Sequence, residues 1–420
     1  MSSTPTHITR RRVFYIPGYD PIHPRRYREL YRAEGAEQAG ISGYDLKLSA
    51  KVPKTSNGAY GWHVDTVIDG KDTHTDIDVL VWSDIVRDSM DNSIPGTYAQ
   101  MLQTAWAYIG SGALWRLMRL RKGPVIAALY PVGMLILQAL VAVLAAWIVY
   151  AGVVYVFGFM SPRSVAGLPV LHQVSGLGAG ALAAIRVLQK FKALDGKLYV
   201  YYLMHDFGYS AASNGANPPE LQARMAQFAD TIGQALCEDY DEVLVVGHSS
   251  GAHLGVSILA DLIRSGRVPT QGAELGFLTL GQVVPMVSFL PKADQLRRDL
   301  HDLSTRDELT WVDVTAPGDG CAFALCDPVS VSGVAPDGKR WPLVFSAAFT
   351  QSLSPEKWSS LKRRFFRLHF QYLCAFDRPR DYDYFQITAG PVSLGTRYKD
   401  RPASKSRIDY SVSKYTSRAA

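Results

Sequence analysis

Charged residues are almost absent from one long stretch of this 420-residue chain, where Arg163 is the single charge between Gly123 and Ile185. A helix that rises about 1.5 Å per residue crosses about 30 Å of hydrocarbon with about 20 residues. The first part of the stretch, residues 124–160, is longer than that, which disfavours a pair of core helices in a soluble protein. The sequence therefore predicts a membrane segment.

Cysteine is scarce as well, and its four residues show no C-x-x-C or Cys/His ligand spacing. This pattern is typical of reduced thiols in a cytoplasmic compartment. Residues 1–12 lack the apolar region of a signal peptide, which favours the same compartment. The net charge of +6 is modest, internal repeats are absent and there is no nucleic-acid-binding module. We expect no nucleic-acid partner, no metal and no cofactor.

A second, weaker apolar segment covers residues 168–188. Gly176, Gly180 and Ala184 recur in it at four-residue spacing, so small residues share one helix face and permit close helix packing. Strand-like runs precede and follow the membrane segment. One sheet can contain both only if they lie on the same side of the membrane, so the chain must cross the membrane an even number of times. We therefore expect a helical hairpin with two spans and with Arg163 in its outer loop.

Basic residues flank this hairpin on both sides. The set comprises Arg116, Arg119, Arg121 and Lys122 before it and Arg186, Lys190 and Lys192 after it. Cytoplasmic flanks of membrane spans carry an excess of Lys and Arg, so both termini are expected in the cytoplasm. Residues 101–120, with Trp106 and Trp115, predict an amphipathic helix at the membrane interface.

A continuous apolar run, residues 243–246, leads into Gly247-His248-Ser249-Ser250-Gly251 and then into a helical pattern. This G-x-S-x-G sequence predicts a strand-to-helix turn that exposes the Ser249 hydroxyl as a nucleophile. Gly247 and Gly251 would remove side chains that clash where the turn closes. The Ser250 amide, at the start of the helix, would bind an oxyanion.

A serine nucleophile of this kind needs a histidine base and an acid. In α/β-hydrolases, which this turn resembles, the acid and then the histidine follow the serine in the chain. His253 and His301 precede any plausible acid, so His369 is the candidate base. Asp319 lies on a Pro/Gly loop after the run at residues 309–314, where a carboxylate can orient an imidazole. Asp327 and Asp313 are the alternatives for the acid.

The second oxyanion donor is expected on a loop after an early strand. Residues 13–16 form such an apolar run and are followed by Pro17-Gly18-Tyr19. Gly18 permits close approach of the backbone, and the Tyr19 amide is the expected donor, with the Gly18 amide as the alternative. The other candidate for a place in the pocket, His205-Asp206, has a more ordinary interpretation as a cap or loop.

With these motifs the chain resembles the α/β-hydrolase superfamily, of the serine esterase and lipase type, although the oxyanion loop lacks an HGGG pattern. The resemblance implies an α/β fold with a doubly wound, mostly parallel sheet, interrupted here by the membrane hairpin. The expected segments are residues 11–120 and 190–396 for the hydrolase, 121–189 for the hairpin and 397–420 for a flexible basic tail. The predicted parallel strands are residues 13–16, 77–82, 198–204, 243–246, 275–280, 309–314 and 344–349.

The function expected from this resemblance is cleavage of an ester through an acyl-enzyme by a membrane-anchored serine hydrolase. Ser249, His369 and Asp319 would be the catalytic triad, and the substrate would be a small molecule or a lipid-like ester from the bilayer. Two alternatives remain open, an inactive hydrolase-fold scaffold or receptor in the membrane, and an acyltransferase that uses the same serine.

Overall fold

The computed structural model describes residues 7–51, 60–90, 93–160 and 168–419. Within these residues eight strands form one sheet. They are β1 (Arg10–Ile16), β2 (Asp45–Ala50), β3 (Tyr60–Ile68), β4 (Lys71–Val79), β5 (Glu242–His248), β6 (Glu274–Leu280), β7 (Leu309–Thr315) and β8 (Leu343–Ser346).

The helices of the described residues fall before, within and after the apolar stretch. They are α1 (Arg25–Ser42), α2 (Ser83–Ser89), α3 (Ile94–Gly110), α4 (Ala113–Leu120), α5 (Lys122–Met160), α6 (Leu168–Ala193), α7 (Asp195–Leu198), α8 (Val200–Ala212), α9 (Pro219–Leu236), α10 (Gly251–Arg264), α11 (Val284–Ser288), α12 (Asp294–Leu303), α13 (Pro328–Val331), α14 (Phe349–Ser352), α15 (Pro355–Leu361), α16 (Phe365–His369), α17 (Tyr384–Ala389) and α18 (Leu394–Tyr398).

The sheet is mostly parallel and has the strand order β2-β3-β4-β1-β5-β6-β7-β8. Strands β4, β1, β5, β6, β7 and β8 pair in parallel, whereas β3 pairs antiparallel with β2 and with β4. The central parallel strands contain apolar runs, such as residues 13–16 of β1 and 243–246 of β5, and these runs are buried on both faces of the sheet. The chain is therefore an α/β protein.

Helices cover both faces of this sheet. Leu244 and Val246 of β5 belong to a cluster that contains Tyr27 of α1 and Tyr384 of α17. Side chains alternate between the two faces of a strand. On the opposite face, Gly255 of α10 lies against Phe277 of β6.

The chain divides into two compact units. The sheet unit comprises Met1–Asp88, Ala107–Val125 and Ser213–Ala420, and the helical unit comprises Ser89–Trp106 and Ile126–Ala212. The predicted strand at residues 198–204 is wrong, because Leu198 ends α7 and residues 200–204 lie in α8, both in the helical unit. Val200, Tyr201 and Met204 follow helical spacing and pack against Leu135 in a local core, which overrides their strand propensity.

Two helices are long and apolar enough to cross a membrane, α5 (Lys122–Met160) and residues Pro169–Ala193 of α6. Their most apolar windows are only 17% and 11% buried, whereas the core helix of a soluble protein is mostly buried. The two helices pack closely through small residues, as the sequence predicts. Gly176 lies against Tyr150 and Val154, and Gly180 lies against the Ala146 carbonyl oxygen. Arg163 and its loop lie outside the described residues.

Three other expectations differ from the structure. The single interfacial helix at residues 101–120 is two helices, because Gly112 adopts a left-handed φ of 77° and separates α3 from α4. The strands predicted at residues 77–82 and 344–349 end earlier, at Val79 and Ser346. Residues 397–420 do not form a loose tail along their length, since the Val412 and Ser413 amides donate to the Val331 carbonyl and Ser417 accepts from Arg297.

Gly180→Ala should lower the thermal denaturation midpoint of the detergent-solubilised protein. The added Cβ would lie 2.7 Å from the Ala146 carbonyl oxygen and would force α5 and α6 apart. Gly178→Ala is the matched control on the same helix, because no atom lies within 4 Å of a Cβ at that position. Equal midpoints for the two variants would contradict the close packing of these helices.

Candidate active site

The predicted nucleophile lies on a sharp turn between β5 and α10. Ser249 has a left-handed φ of 57°, which is a strained conformation for a residue with a side chain. Its amide donates a hydrogen bond of 2.9 Å to the carbonyl oxygen of Leu280 at the end of β6. This bond holds the backbone of Ser249 in place, and the residue is only partly buried.

The glycines on either side of Ser249 are required by the packing of this turn. A Cβ on Gly247 would lie 2.7 Å from the Gly251 carbonyl oxygen. A Cβ on Gly251 would lie 2.1 Å from the carbonyl oxygen of Ile16, which ends β1. Side chains at either position would push β5, α10 and β1 apart.

The loop after β1 lies directly beside the nucleophile. A Cβ on Gly18 would be 3.0 Å from the Cβ of Ser249 and 3.4 Å from its Oγ. The Trp82 indole donates to the Pro17 carbonyl at 3.0 Å, and Asp20 accepts from the Ile22 amide at 2.9 Å. These bonds fix the loop, so the segment with the Gly18 and Tyr19 amides is brought against the turn with Ser249 and Ser250.

The structure pairs the predicted base with the predicted acid. His369 Nδ1 lies 2.7 Å from Asp319 Oδ2, and both side chains are buried. Asp319 is on the loop after β7, and His369 ends α16. The His369 Cε1 atom lies 3.2 Å from a Cβ built on Gly281, the residue after Leu280, whose carbonyl accepts from Ser249. The imidazole is therefore at the same end of the sheet as Ser249.

Two further hydrogen bonds hold the Asp319 carboxylate. The Tyr372 hydroxyl donates to Oδ2 at 3.0 Å, and the Cys321 amide donates to Oδ1 at 2.8 Å. Burial by itself raises the pKa of Asp319, but His369 and these donors together lower it below the usual value. The carboxylate therefore stays ionised and can orient and stabilise a protonated imidazole.

The alternative acids occupy other environments. Asp313 is buried inside β7, where it accepts from the Thr279 hydroxyl at 2.6 Å and burial raises its pKa to about 8. Asp327 caps α13 by accepting from the Val329 amide at 3.0 Å and the Ser330 amide at 3.1 Å. Of the three predicted candidates, Asp319 is the one bonded to His369.

Comparison with known proteins gives no relative of this chain. A scan against family models, a search of curated proteins and a search of solved structures each found no match. The roles of the site residues are therefore inferred from their geometry.

The three other histidines considered in the sequence analysis lie outside this arrangement. His253 is buried on α10, and burial lowers its pKa to about 4. His301 on α12 bonds the Val334 carbonyl through Nδ1 at 2.9 Å. His205 lies in the helical unit, on α8 rather than at a strand end, with its Nδ1 2.6 Å from the Gln100 side-chain oxygen.

Sequence reasoning missed two supports of the site. His248, the residue before Ser249, supports the backbone of His369, since its Nε2 lies 3.0 Å from the His369 carbonyl oxygen, which can only accept. Burial and then the nearby His369 lower the pKa of His248 to about 3, so it is neutral and donates through Nε2. Tyr372 was also missed, although its position three residues after His369 is a local signal.

Among the residues that the structure describes, the one cluster that could hold a metal is part of this same site. Potential ligand atoms of Asp319, Cys321 and His369 all lie within 4.8 Å of one another. His369 Nδ1 and Asp319 already share the hydrogen bond that orients the imidazole. A metal bound by both side chains would compete with that bond.

Acid should destabilise the fold partly through His253. An unfolded histidine binds a proton below its ordinary pKa of about 6.5, whereas folded His253 does so only below about 4. The unfolded state therefore takes up more protons, and stability falls as the pH drops through this window. Thermal denaturation midpoints measured from about pH 7 to about pH 4 should fall less steeply for His253→Leu than for the wild type. The exposed His74→Gln is the control, and a wild-type slope for His253→Leu would refute this assignment.

Proposed function

We propose that the chain is a serine hydrolase of the α/β-hydrolase fold, with a doubly wound sheet, that cleaves a carboxylic ester through an acyl-enzyme. One observation carries the proposal. A strained serine turn, a glycine loop at its side and a buried Asp319–His369 pair meet at one end of a mostly parallel sheet. Each part supplies one requirement of acyl transfer, which needs a nucleophile, an oxyanion site and an oriented base.

In the proposed reaction Ser249 Oγ attacks the ester carbonyl while His369 Nε2 takes the hydroxyl proton. Asp319 accepts from Nδ1–H and stabilises the imidazolium. The Ser250 amide and the Tyr19 amide, or its neighbour at Gly18, would bind the oxyanion. The C–O bond to the alcohol then breaks, and His369 gives its proton to the leaving oxygen. Water, with its proton taken by His369, then attacks the acyl-enzyme. The bond from the acyl carbon to Ser249 Oγ breaks, His369 returns the proton to Oγ, and the acid and free Ser249 are released.

The anchoring of this enzyme is part of the proposal. Strand β1 precedes the two apolar helices and β5 follows them, yet the two strands pair in parallel in one sheet. Both must occupy one compartment, which requires an even number of crossings. Two spans as a hairpin satisfy this requirement, and the basic residues on both flanks favour cytoplasmic termini.

The proposed substrate class follows from the anchor. An enzyme held at the bilayer meets esters that partition into it, so a lipid-like ester is favoured over a short soluble one. An acyltransferase would use the same serine with an alcohol in place of water. A scaffold or receptor would keep the fold but lack an activated serine.

Labelling by a fluorophosphonate probe tests the activated serine without knowledge of the substrate. The wild type should be labelled, and Ser249→Ala should abolish labelling because the attacking oxygen is removed. His369→Ala should slow labelling by several orders of magnitude and Asp319→Asn by somewhat less, as in related triads.

Matched control variants exist for the substitutions of Asp319 and His369. Asp313→Asn replaces a buried aspartate whose pKa is about 8, so the amide resembles the protonated form that it has at neutral pH. His253→Leu replaces a buried histidine outside the site. Both controls should keep wild-type labelling rates. An unlabelled wild type would favour the scaffold, and slow labelling of His253→Leu alone would show that the base is misassigned.

The proposed topology has its own test. The protein should resist extraction by alkaline carbonate, and reporter fusions at the N-terminus and at the C-terminus should both report the cytoplasm. Reporters on opposite sides of the membrane would contradict the hairpin, because the strands of one sheet would then be separated.

A further inference from the structure

A short basic and aromatic segment lies exposed immediately before the candidate base. Lys362, Arg363 and Arg364 are exposed, and they are followed by Phe365 and Phe366, which are 61% and 38% exposed. Basic residues on either side are paired, Lys357 with Glu37 and Arg367 with Glu34. None of the ion pairs among the described residues involves Lys362, Arg363 or Arg364. The segment thus combines uncompensated positive charge with exposed aromatic rings.

This segment packs on the loop of the candidate acid. The Phe365 ring lies 3.3 Å from a Cβ built on Gly320, the residue after Asp319. The Trp358 ring lies 2.6 Å from a Cβ built on Gly318, the residue before it. Helices α15 and α16 therefore enclose the acid loop, and α16 ends in His369.

The same loop contacts the first turn of α5. A Cβ on Gly123 would lie 2.9 Å from the Gly320 carbonyl oxygen. Gly123 belongs to the sheet unit, and its neighbour Lys122 is exposed. Gly320 therefore contacts both Phe365 and the beginning of the helix for which we propose a membrane span. The start of a span lies at headgroup level, which brings the exposed segment to the same depth.

We propose that Lys122 and residues 362–366 form a docking surface for the anionic headgroups of the membrane in which the protein is anchored. Positive side chains at this depth are attracted to anionic lipids, and phenylalanine rings enter the boundary between headgroups and acyl chains. Docking there would hold α16 and the acid loop against the bilayer and present Ser249 to esters from it. This inference rests on the proposed membrane anchoring and extends the proposed hydrolase.

Hydrogen exchange of the full-length protein in nanodiscs tests the docking independently of catalysis. The amides of residues 362–368 should exchange several-fold more slowly in discs with phosphatidylglycerol than in discs of phosphatidylcholine alone. High salt should remove the difference, since screening weakens the attraction. The triple variant Lys362→Gln, Arg363→Gln, Arg364→Gln should remove it as well. Equal exchange in both kinds of disc would overturn the proposal.

A charge-matched control comes from exposed lysines elsewhere on the sheet unit. Lys47 is on the edge strand β2, Lys71 begins β4, and Lys399 follows α18, whose Gly395 lies against Thr310 near the start of β7. Replacing these three lysines with Gln should leave the lipid-dependent protection intact. Loss of protection in this control would mean that net charge, rather than the docking surface, is responsible.

Turnover of a bilayer-borne ester separates failure of this inference from failure of the proposed function. The wild type should hydrolyse it several-fold faster in anionic discs than in neutral discs, and the triple variant should lose that ratio. Lipid-dependent protection without any turnover would refute the hydrolase and leave the docking surface standing. Turnover without lipid-dependent protection would refute the docking surface and leave the hydrolase standing.

Discussion

Close contact between the backbone of β1 and the turn at Ser249 is the constraint on which the site depends. Gly251 meets the carbonyl oxygen of Ile16, and Ser249 accepts a left-handed φ of 57°. The loop after β1 must then run past the serine, which brings Gly18 beside its side chain. The proposed nucleophile and the proposed oxyanion loop are therefore brought together by the same contacts, since the glycines allow the strands and α10 to approach closely.

The other half of the site depends on burial rather than on backbone strain. Asp319 lies on the loop after β7 and His369 on α16, and their hydrogen bond joins two segments distant in the chain. A buried carboxylate stays ionised only if donors surround it, and Tyr372 and the Cys321 amide meet that need. His248 then ties the backbone of His369 to the residue before the nucleophile. The hydrogen bond from the neutral His248 side chain to the His369 carbonyl therefore links the Ser249 turn to the Asp319–His369 pair.

The sequence predicts the parts of this fold whose signal is local. Strands β1, β5, β6 and β7 each contain an apolar run, and G-x-S-x-G specifies its own turn. Residues 198–204 have a similar apolar pattern, yet residues 200–204 form a helix. Their packing against Leu135 decides between strand and helix, and the local sequence does not show that contact. Strand β2 was missed because it is largely exposed and has no apolar run. Asp319 and His369 follow from chain order, whereas the hydrogen bond of His248 requires the three-dimensional arrangement.

The contact of Gly123 with Gly320 limits where the chain could be cut to remove its apolar helices. The polypeptide passes between the sheet unit and the helical unit near residues 88, 106, 125 and 212. The helical unit, which contains the apolar helices, is therefore not a single insertion in the chain. Excision from Gly123 onward would remove a wall of the acid loop. A version without the helical unit must retain Lys122–Val125 and replace the four crossings with two new connections, from residue 88 to 107 and from residue 125 to 213. The proposed anchor and the proposed enzyme are therefore joined at several points of the chain and are not separate modules.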